Sequence, residues 1–315
     1  MSVPEVLDRP AARERGAPGN GAPRKQLALR IREITPMGFL LLVAAIYLFI
    51  MVTFVLATLR TESSLIHQGA FGSMNLSRLG YDWDQLSGFS SGAYWIWLEN
   101  SAIVSFGGAA LAVLVAVPAG YCLAMLRFRG RRVILFLTIL TMVMPNTVLV
   151  IPLFLEVSAV HQVDKLWPVA VMFGFFPFGT YLSFVHYRTS LPMEMLEAGR
   201  IDGASEVGLF GRVAVPIAKQ AVALVFFFAF VADWTNYFLP LVMLPSTNAQ
   251  TVSVGLQLLI TSSQLFNPSA GGLNVQLYMP ELAMAALLQM LPVLVVFIGA
   301  QRYLQRGALL GAVKG

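Results

Sequence analysis

The polar residues that could act chemically are concentrated in one short run. Asp233 is followed by Trp234, Thr235, Asn236 and Tyr237, midway along the fifth of six apolar segments. A carboxylate at bilayer depth costs about 2.5–3.5 kcal/mol on insertion scales, so it needs a polar partner or a water-filled cavity. Aromatic faces beside hydrogen-bonding groups suit ligands such as sugar rings. We therefore predict that this run lines a solute pathway; the alternative is an interfacial aromatic belt with a structural aspartate.

The rest of the sequence offers few groups for catalysis. His67, His161 and His186 lie far apart, and the His-Glu-x-x-His pattern of zinc enzymes is absent. The phosphate-binding pattern G-x-x-x-x-G-K-[ST] is absent as well. The single cysteine, Cys122, has no partner for a disulfide within the chain. We therefore predict a protein that is not an enzyme and carries no cofactor or metal. The alternative, a membrane-embedded transferase, would need a cluster of catalytic polar residues at one membrane face.

The composition indicates a polytopic membrane protein. Of 315 residues, 57% are hydrophobic and 12% are charged, which leaves too little polar material to cover a soluble domain. The net charge is +5, but the basic residues are spread over loops and form no stripe with interleaved aromatics. We therefore predict that the lipid bilayer is a partner of this protein and that nucleic acid is not.

Six apolar segments are long enough to cross a hydrocarbon core about 30 Å thick, which takes roughly 20 residues. They are 37–59, 101–126, 133–155, 166–186, 221–244 and 278–301. Pro145 and Pro152 in the third segment and Pro177 in the fourth predict kinks, which suit a gate but are also common in static bundles. Glu281, near the outer end of the last segment, is predicted to be solvated.

Loop charges predict the orientation, because Lys and Arg are retained on the cytoplasmic side. Of the 21 Lys and Arg residues, 18 lie in residues 1–36, 127–132, 187–220 and after 301, which share one side. Both termini are therefore expected in the cytoplasm. The predicted organisation is a basic, largely disordered tail (1–36) and a first transmembrane helix with an extracytoplasmic loop (37–100). A core of five transmembrane helices (101–301) with a cytoplasmic loop (187–220) and a cytoplasmic tail (302–315) follow.

Within that loop, the 20 residues EAGRIDGASEVGLFGRVAVP (197–216) form a polar island between long apolar runs. Pro192 favours the start of a helix from Met193 to about Ile201, which Asp202 and Gly203 end. Asp202 is expected to cap a second helix. Helical spacing predicts that this second helix has one apolar face, formed by Gly203, Val207, Phe210 and Ala214. Such an element suits docking into a groove of a partner; packing against its own bundle is the alternative.

The island resembles the EAA loop of ATP-binding-cassette (ABC) importer permeases. The residues that match the family pattern in register are Glu197, Ala198, Asp202, Gly203, Ala204, Phe210 and Pro216. Gly199 stands where the family commonly has a second alanine, and Gln220 where sugar permeases often have a proline. The ending QRYLQRGALLGAVKG is similar to the tail of the MalG-like carbohydrate subgroup. Sugar permeases also often carry Trp-Asn-x-Phe before Pro-Leu, and Thr235 replaces that asparagine here.

This resemblance implies an all-α, polytopic fold of the type I importer permease (MetI-like) class in a bacterial inner membrane, with six transmembrane helices. It implies a homologous MalF-like permease, two ATPase subunits that hold ATP and Mg²⁺, and an extracytoplasmic solute-binding protein as partners. The matching residues, together with Gly199, would form the coupling helix that fits a cleft of the ATPase, and Lys314 and Gly315 would approach the same subunit. The implied function is uptake of a sugar or oligosaccharide by alternating access. The alternative is a permease of the same class for glycerol phosphate or a polyamine.

Overall fold

The computed structural model describes residues 22–68, 72–263 and 277–312, and side chains within the ranges 37–68, 72–263 and 277–304. All regular structure in these ranges is helical. The helices are α1 (Ala22–Ala57), α2 (Glu62–Gln68), α3 (Ser77–Gly88), α4 (Ala93–Met125), α5 (Arg131–Val143), α6 (Asn146–Ala159), α7 (Leu166–Phe173), α8 (Pro177–Ser190), α9 (Met193–Ile201), α10 (Glu206–Leu209), α11 (Val215–Ile217), α12 (Lys219–Trp234), α13 (Phe238–Met243), α14 (Val252–Ser262) and α15 (Met279–Ala312).

Four helical stretches of the described chain are long and apolar enough to cross a membrane. They are Met37–Ala57, Ala93–Met125, Leu166–Ser190 and Met279–Leu304. Two bent pairs pass the same test together: α5 with α6, bent by 101°, and Glu206–Ile217 with α12, bent by 78°. Counting each bent pair as one span gives up to six, the number that the sequence predicts, although the second pair begins at Glu206, inside the loop that the sequence predicts, and not at residue 221.

The chain divides after Thr53 into two compact units. The described part of the first is residues 22–53 of α1, which begins at Ala22, inside the tail that the sequence predicts to be largely disordered. Pro23 occupies its first turn, where a missing N–H group costs little. Residues 1–21 lie outside the described residues.

Three predicted spans are interrupted in the structure. The third bends between α5 and α6 because Pro145 adopts an extended conformation (φ −63°, ψ 122°) and begins a new helix. The fourth is broken at residues 174–176, directly before Pro177. The fifth ends early, because α12 stops at Trp234 and a separate short helix, α13, follows.

Helix α4 is the centre of the larger unit and packs against α7, α8 and α12. Small residues on α4 permit this, as is usual where membrane helices approach closely. A Cβ atom on Gly108 would lie 2.4 Å from Phe173 Cβ and 2.8 Å from Asp233 Oδ2. Gly108 therefore allows both α7 and α12 to approach α4.

An ion-pair cluster joins α3 to the first turn of α15. Arg78 Nη2 lies 2.9 Å from Asp82 Oδ1 and 3.4 Å from Glu281 Oε1, and both carboxylate side chains are fully buried. Glu281 Oε2 also accepts a hydrogen bond from the Tyr278 N–H at 3.0 Å. The prediction that Glu281 is solvated is therefore wrong, because α3 covers it.

Candidate functional site

The loop at residues 197–216 begins with α9, which spans Met193–Ile201 as the sequence predicts. It ends in a left-handed turn, in which the Ala204 N–H donates to the Gly199 carbonyl at 2.9 Å and the Gly203 N–H donates to the Arg200 carbonyl at 3.1 Å. Gly203 has φ +82°, which residues with a Cβ atom rarely adopt. No atom lies within 4 Å of the position that a Cβ would occupy. The backbone conformation of the turn therefore explains the glycine at position 203, and a close contact elsewhere in the chain does not.

The second helix of the loop is capped by Ser205, and the prediction of Asp202 as its cap is wrong. The Ser205 hydroxyl accepts a hydrogen bond from the Gly208 N–H at 3.2 Å. Asp202 instead closes α9, where its N–H donates to the Ala198 carbonyl at 3.0 Å. Since α10 begins only at Glu206, the Asp202 side chain stands too early in the chain to reach its first amides.

Two buried leucines anchor the loop to the end of the bundle. Leu196 of α9 is fully buried and Leu209 of α10 nearly so, and both pack in a cluster with Tyr187 of α8. The Phe210 ring lies 5.2 Å from the Tyr121 ring of α4, measured between centroids. The chain then makes a wide helical turn over Phe210–Ala214 before it re-enters the bundle as α12. The loop therefore packs directly against α4 and α8.

The outward side of the loop presents apolar side chains. Ile201 is 87% exposed and Val207 is 81% exposed, although both are aliphatic. The predicted apolar face is wrong: Gly203 and Val207 point outward, whereas Ala214 is fully buried, because the turn at Gly203 interrupts the helical spacing. Sequence reasoning missed Ile201, and its position directly before the predicted break was the signal that it lies at the tip.

Most of the predicted coupling residues are exposed. The exposed ones are Glu197, Ala198, Asp202, Gly203, Ala204 and Pro216, whereas Gly199 and Phe210 are half-buried. A Cβ on Gly199 would lie 2.5 Å from Leu209 Cδ2, so the missing methyl group makes room for the anchor.

A salt bridge spans the tip of the loop. Arg200 Nε donates to Glu206 Oε1 at 2.6 Å, and the Tyr121 hydroxyl lies 3.4 Å from Glu206 Oε2. The hydrogen bond from Arg200 lowers the pKa of the Glu206 carboxyl group. Both side chains are more than a third exposed, so the pair orients the two helices while contributing less than about 1 kcal/mol to stability.

The second predicted site is divided by the structure. Asp233 lies at the last turn of α12 rather than midway along a span, because the chain leaves the helix at Thr235. The Thr235 hydroxyl donates to the Val231 carbonyl at 2.8 Å, and Asn236 Oδ1 accepts from the Leu239 N–H at 3.2 Å to cap α13.

Trp234 faces the interior of the bundle. Its ring is almost fully buried, and its indole N–H donates to the Gln289 carbonyl of α15 at 2.9 Å. Thr235 and Tyr237 are exposed, and neither lines the cavity beside Asp233. Only Asp233 and Asn236 of the predicted run reach that cavity.

The cavity beside Asp233 has a volume of about 180 Å³. Phe173 and Phe176 form part of its wall, and Asn146 and Thr147, the first residues of α6, line it as well. Asp233 is 7% exposed, and its Oδ2 atom has no hydrogen-bond partner among the described residues. The bend of the third span therefore places a helix start beside a buried carboxyl group, which hydropathy could not predict.

Two further predictions concern the C-terminal residues and metal binding. Lys314 and Gly315 lie outside the described residues. Within the described ranges no group of three or more His, Cys, Asp or Glu side chains could hold a metal ion.

Comparison with known proteins links this architecture to transport. The family model "binding-protein-dependent transport system inner membrane component" matches residues 108–309. The chain is 27% identical over 278 residues to the arabinooligosaccharides transport system permease protein AraQ of Bacillus subtilis, covering 88% of this chain and 94% of AraQ. It is 26% identical over 291 residues to the lactose transport system permease protein LacG of Rhizobium radiobacter, covering 91% of this chain and 98% of LacG.

A solved structure shares the fold. It is the crystal structure of a bacterial ABC transporter involved in the import of the acidic polysaccharide alginate. One of its chains aligns with a TM-score of 0.72 and 22% identity, covering 87% of this chain and 96% of that chain. The prediction of an all-helical importer-permease fold is confirmed.

Proposed function

Because the chain belongs to the family of binding-protein-dependent transport system inner membrane components, we propose that it forms the membrane pathway of a carbohydrate importer. Family membership makes it a multi-pass inner-membrane permease subunit that is not itself catalytic, and it implies an ATPase and a solute-binding protein as partners. The proposal extends to two ATPase subunits, a homologous MalF-like permease and both termini in the cytoplasm, where loop charges favour them.

The observation that carries the proposal is the form of the 197–216 loop. It presents exposed Ile201 and Val207 at its tip, while Leu196 and Leu209 fix its base in the bundle. An exposed apolar tip on a rigid base suits insertion into a cleft of a partner. In the proposed mechanism, closure of the ATPase dimer on ATP moves this loop as a rigid body, and α4 and α8 follow and open the pathway outward.

The cargo is proposed from relatives and from the lining of the bundle. AraQ and LacG are named for arabinooligosaccharide and lactose transport. The described residues that line the Asp233 cavity include no Lys or Arg, which an anionic cargo such as glycerol phosphate would favour. We propose Asp233 and Asn236 as pathway residues, and Trp234 as a support behind them.

Substitution of the apolar tip tests the docking. Burying a Val or Ile side chain is worth about 1.5–3 kcal/mol, so Ile201→Asn and Val207→Asn should each weaken binding of the ATPase subunit on the order of 10- to 100-fold. Leu76→Asn is the matched control, since Leu76 is 76% exposed beside α3, at the other end of α4. Binding is measured in nanodiscs and ATP-driven uptake of labelled oligosaccharides in proteoliposomes. Unchanged ATPase binding in both tip variants would refute the docking.

A further inference from the structure

The cavity beside Asp233 combines an acceptor and donors that lack partners. Asp233 Oδ2 is buried without a hydrogen bond among the described residues. Asn146 and Thr147, at the start of the 14-residue helix α6, line the same cavity. The Val148 N–H donates to the Pro145 carbonyl at 3.1 Å, whereas the N–H groups of Asn146 and Thr147 have no partner among the described residues, and Pro145 supplies no side-chain cap. Asp233 and the start of α6 therefore line one space, while Oδ2 itself is packed against Gly108 of α4.

The polar groups that line the cavity favour a neutral ligand. Asp233 is the only ionisable side chain among the described residues that line the cavity, and Asn146, Thr147 and Asn236 add neutral polar groups. An anion would be attracted to the start of α6 but repelled by the carboxylate. A cation would pair with the carboxylate but face the positive end of the helix. A neutral ligand with several hydroxyl groups can donate to Asp233 and accept from the amides of α6 at the same time.

The walls and the size agree with such a ligand. Phe173 and Phe176 offer apolar surface beside these polar groups, and sugar rings have both kinds of surface. The volume of about 180 Å³ far exceeds the roughly 10–15 Å³ that one water needs. The cavity therefore has room for several waters or for a small ring.

We propose that this cavity is a binding subsite for a neutral, polyhydroxylated solute, formed by Asp233 on one side and the start of α6 on the other. The inference rests on the proposed function and deepens it, because it places a solute contact on this chain and excludes anionic and cationic cargo from it. In this proposal the bend at Pro145 turns the start of α6 toward the solute.

Protection of an introduced cysteine tests the subsite. The variant Thr147→Cys, in a Cys122→Ser background, is assembled into the complete transporter in nanodiscs and labelled with hydroxyethyl methanethiosulfonate. Labelling of this chain is followed by mass spectrometry during ATP turnover. The competitors are arabinotriose, maltotriose, lactose, spermidine and glycerol 3-phosphate, and uptake of the same five compounds is measured in proteoliposomes.

We expect at least one neutral saccharide to slow labelling about threefold or more. Asp233→Asn should raise its half-protecting concentration about fivefold, because a hydrogen bond to the carboxyl group is lost. Asp84→Asn, which changes an exposed aspartate of α3, should leave the concentration unchanged. Protection by spermidine or glycerol 3-phosphate alone, protection insensitive to Asp233→Asn, or protection by none of the five would overturn the subsite. Saccharide uptake without protection would overturn the subsite alone, whereas uptake restricted to a charged compound would overturn the carbohydrate function too.

Discussion

Replacement of Gly203 by alanine should loosen the 197–216 loop through the backbone alone. Gly203 has φ +82°, and residues with a Cβ atom lose roughly 1–2 kcal/mol in this left-handed region. No atom lies within 4 Å of the added methyl group, so no steric clash contributes. At 1.4 kcal/mol for each tenfold change, the apparent affinity for the ATPase subunit should fall by up to about 5- to 30-fold, since fewer loops hold the docking conformation.

Two comparison variants isolate the backbone effect. Gly203→Asn should lose less affinity than Gly203→Ala, because asparagine tolerates the left-handed region. Gly211→Ala also adds a methyl group into open space in the same loop, but Gly211 has no positive φ, so its affinity should not fall. The assay is the dissociation constant of the ATPase subunit on nanodisc-embedded permease at fixed salt, with ATP-driven uptake measured in parallel. The reasoning is refuted if Gly203→Ala and Gly211→Ala behave alike, or if asparagine at position 203 is no better than alanine.

Two other substitutions probe the bundle. Gly108→Ala should lower the midpoint of thermal unfolding, because its Cβ would lie 2.4 Å from Phe173 Cβ and overpacking costs about 1–3 kcal/mol. Gly299→Ala, which adds a methyl group into open space beside α15, should leave the midpoint unchanged. Equal midpoints in the two variants would contradict this packing. Burial, followed by repulsion from Glu281, raises the pKa of Asp82 from 3.8 to about 7, so the folded state binds the proton more tightly than the unfolded state. Stability should therefore fall as the pH rises from about 4 to about 7, and Asp82→Asn should flatten this part of the midpoint-versus-pH curve; an unchanged slope in the variant would show that other groups cause it.

Local features of the loop could be predicted from sequence because they depend on neighbours in the chain. Pro192 and Gly203 bound α9 through their own backbone preferences, and these act over a few residues. The cap of α10 was harder to assign, since Asp202 and Ser205 are both favourable capping residues. Only the observed turn shows that α10 begins after Ser205.

The run at residues 233–237 could be predicted as unusual but not assigned in detail. Hydropathy averages over about 19 residues and does not register a helix that stops within the window. The burial of Trp234 depends on α15, which is far away in the sequence. The same is true of Glu281, whose burial depends on α3.

The sequence by itself determined the class of protein, the number of apolar segments and the loop that resembles a coupling element. Composition, segment length and backbone preference are properties of local sequence, which is why they could be read without a fold. Only the tertiary structure decided which residues of the two candidate sites are available to a partner. Exposure of Ile201 and Val207, and the meeting of Asp233 with the start of α6, depend on helices that approach from distant parts of the chain.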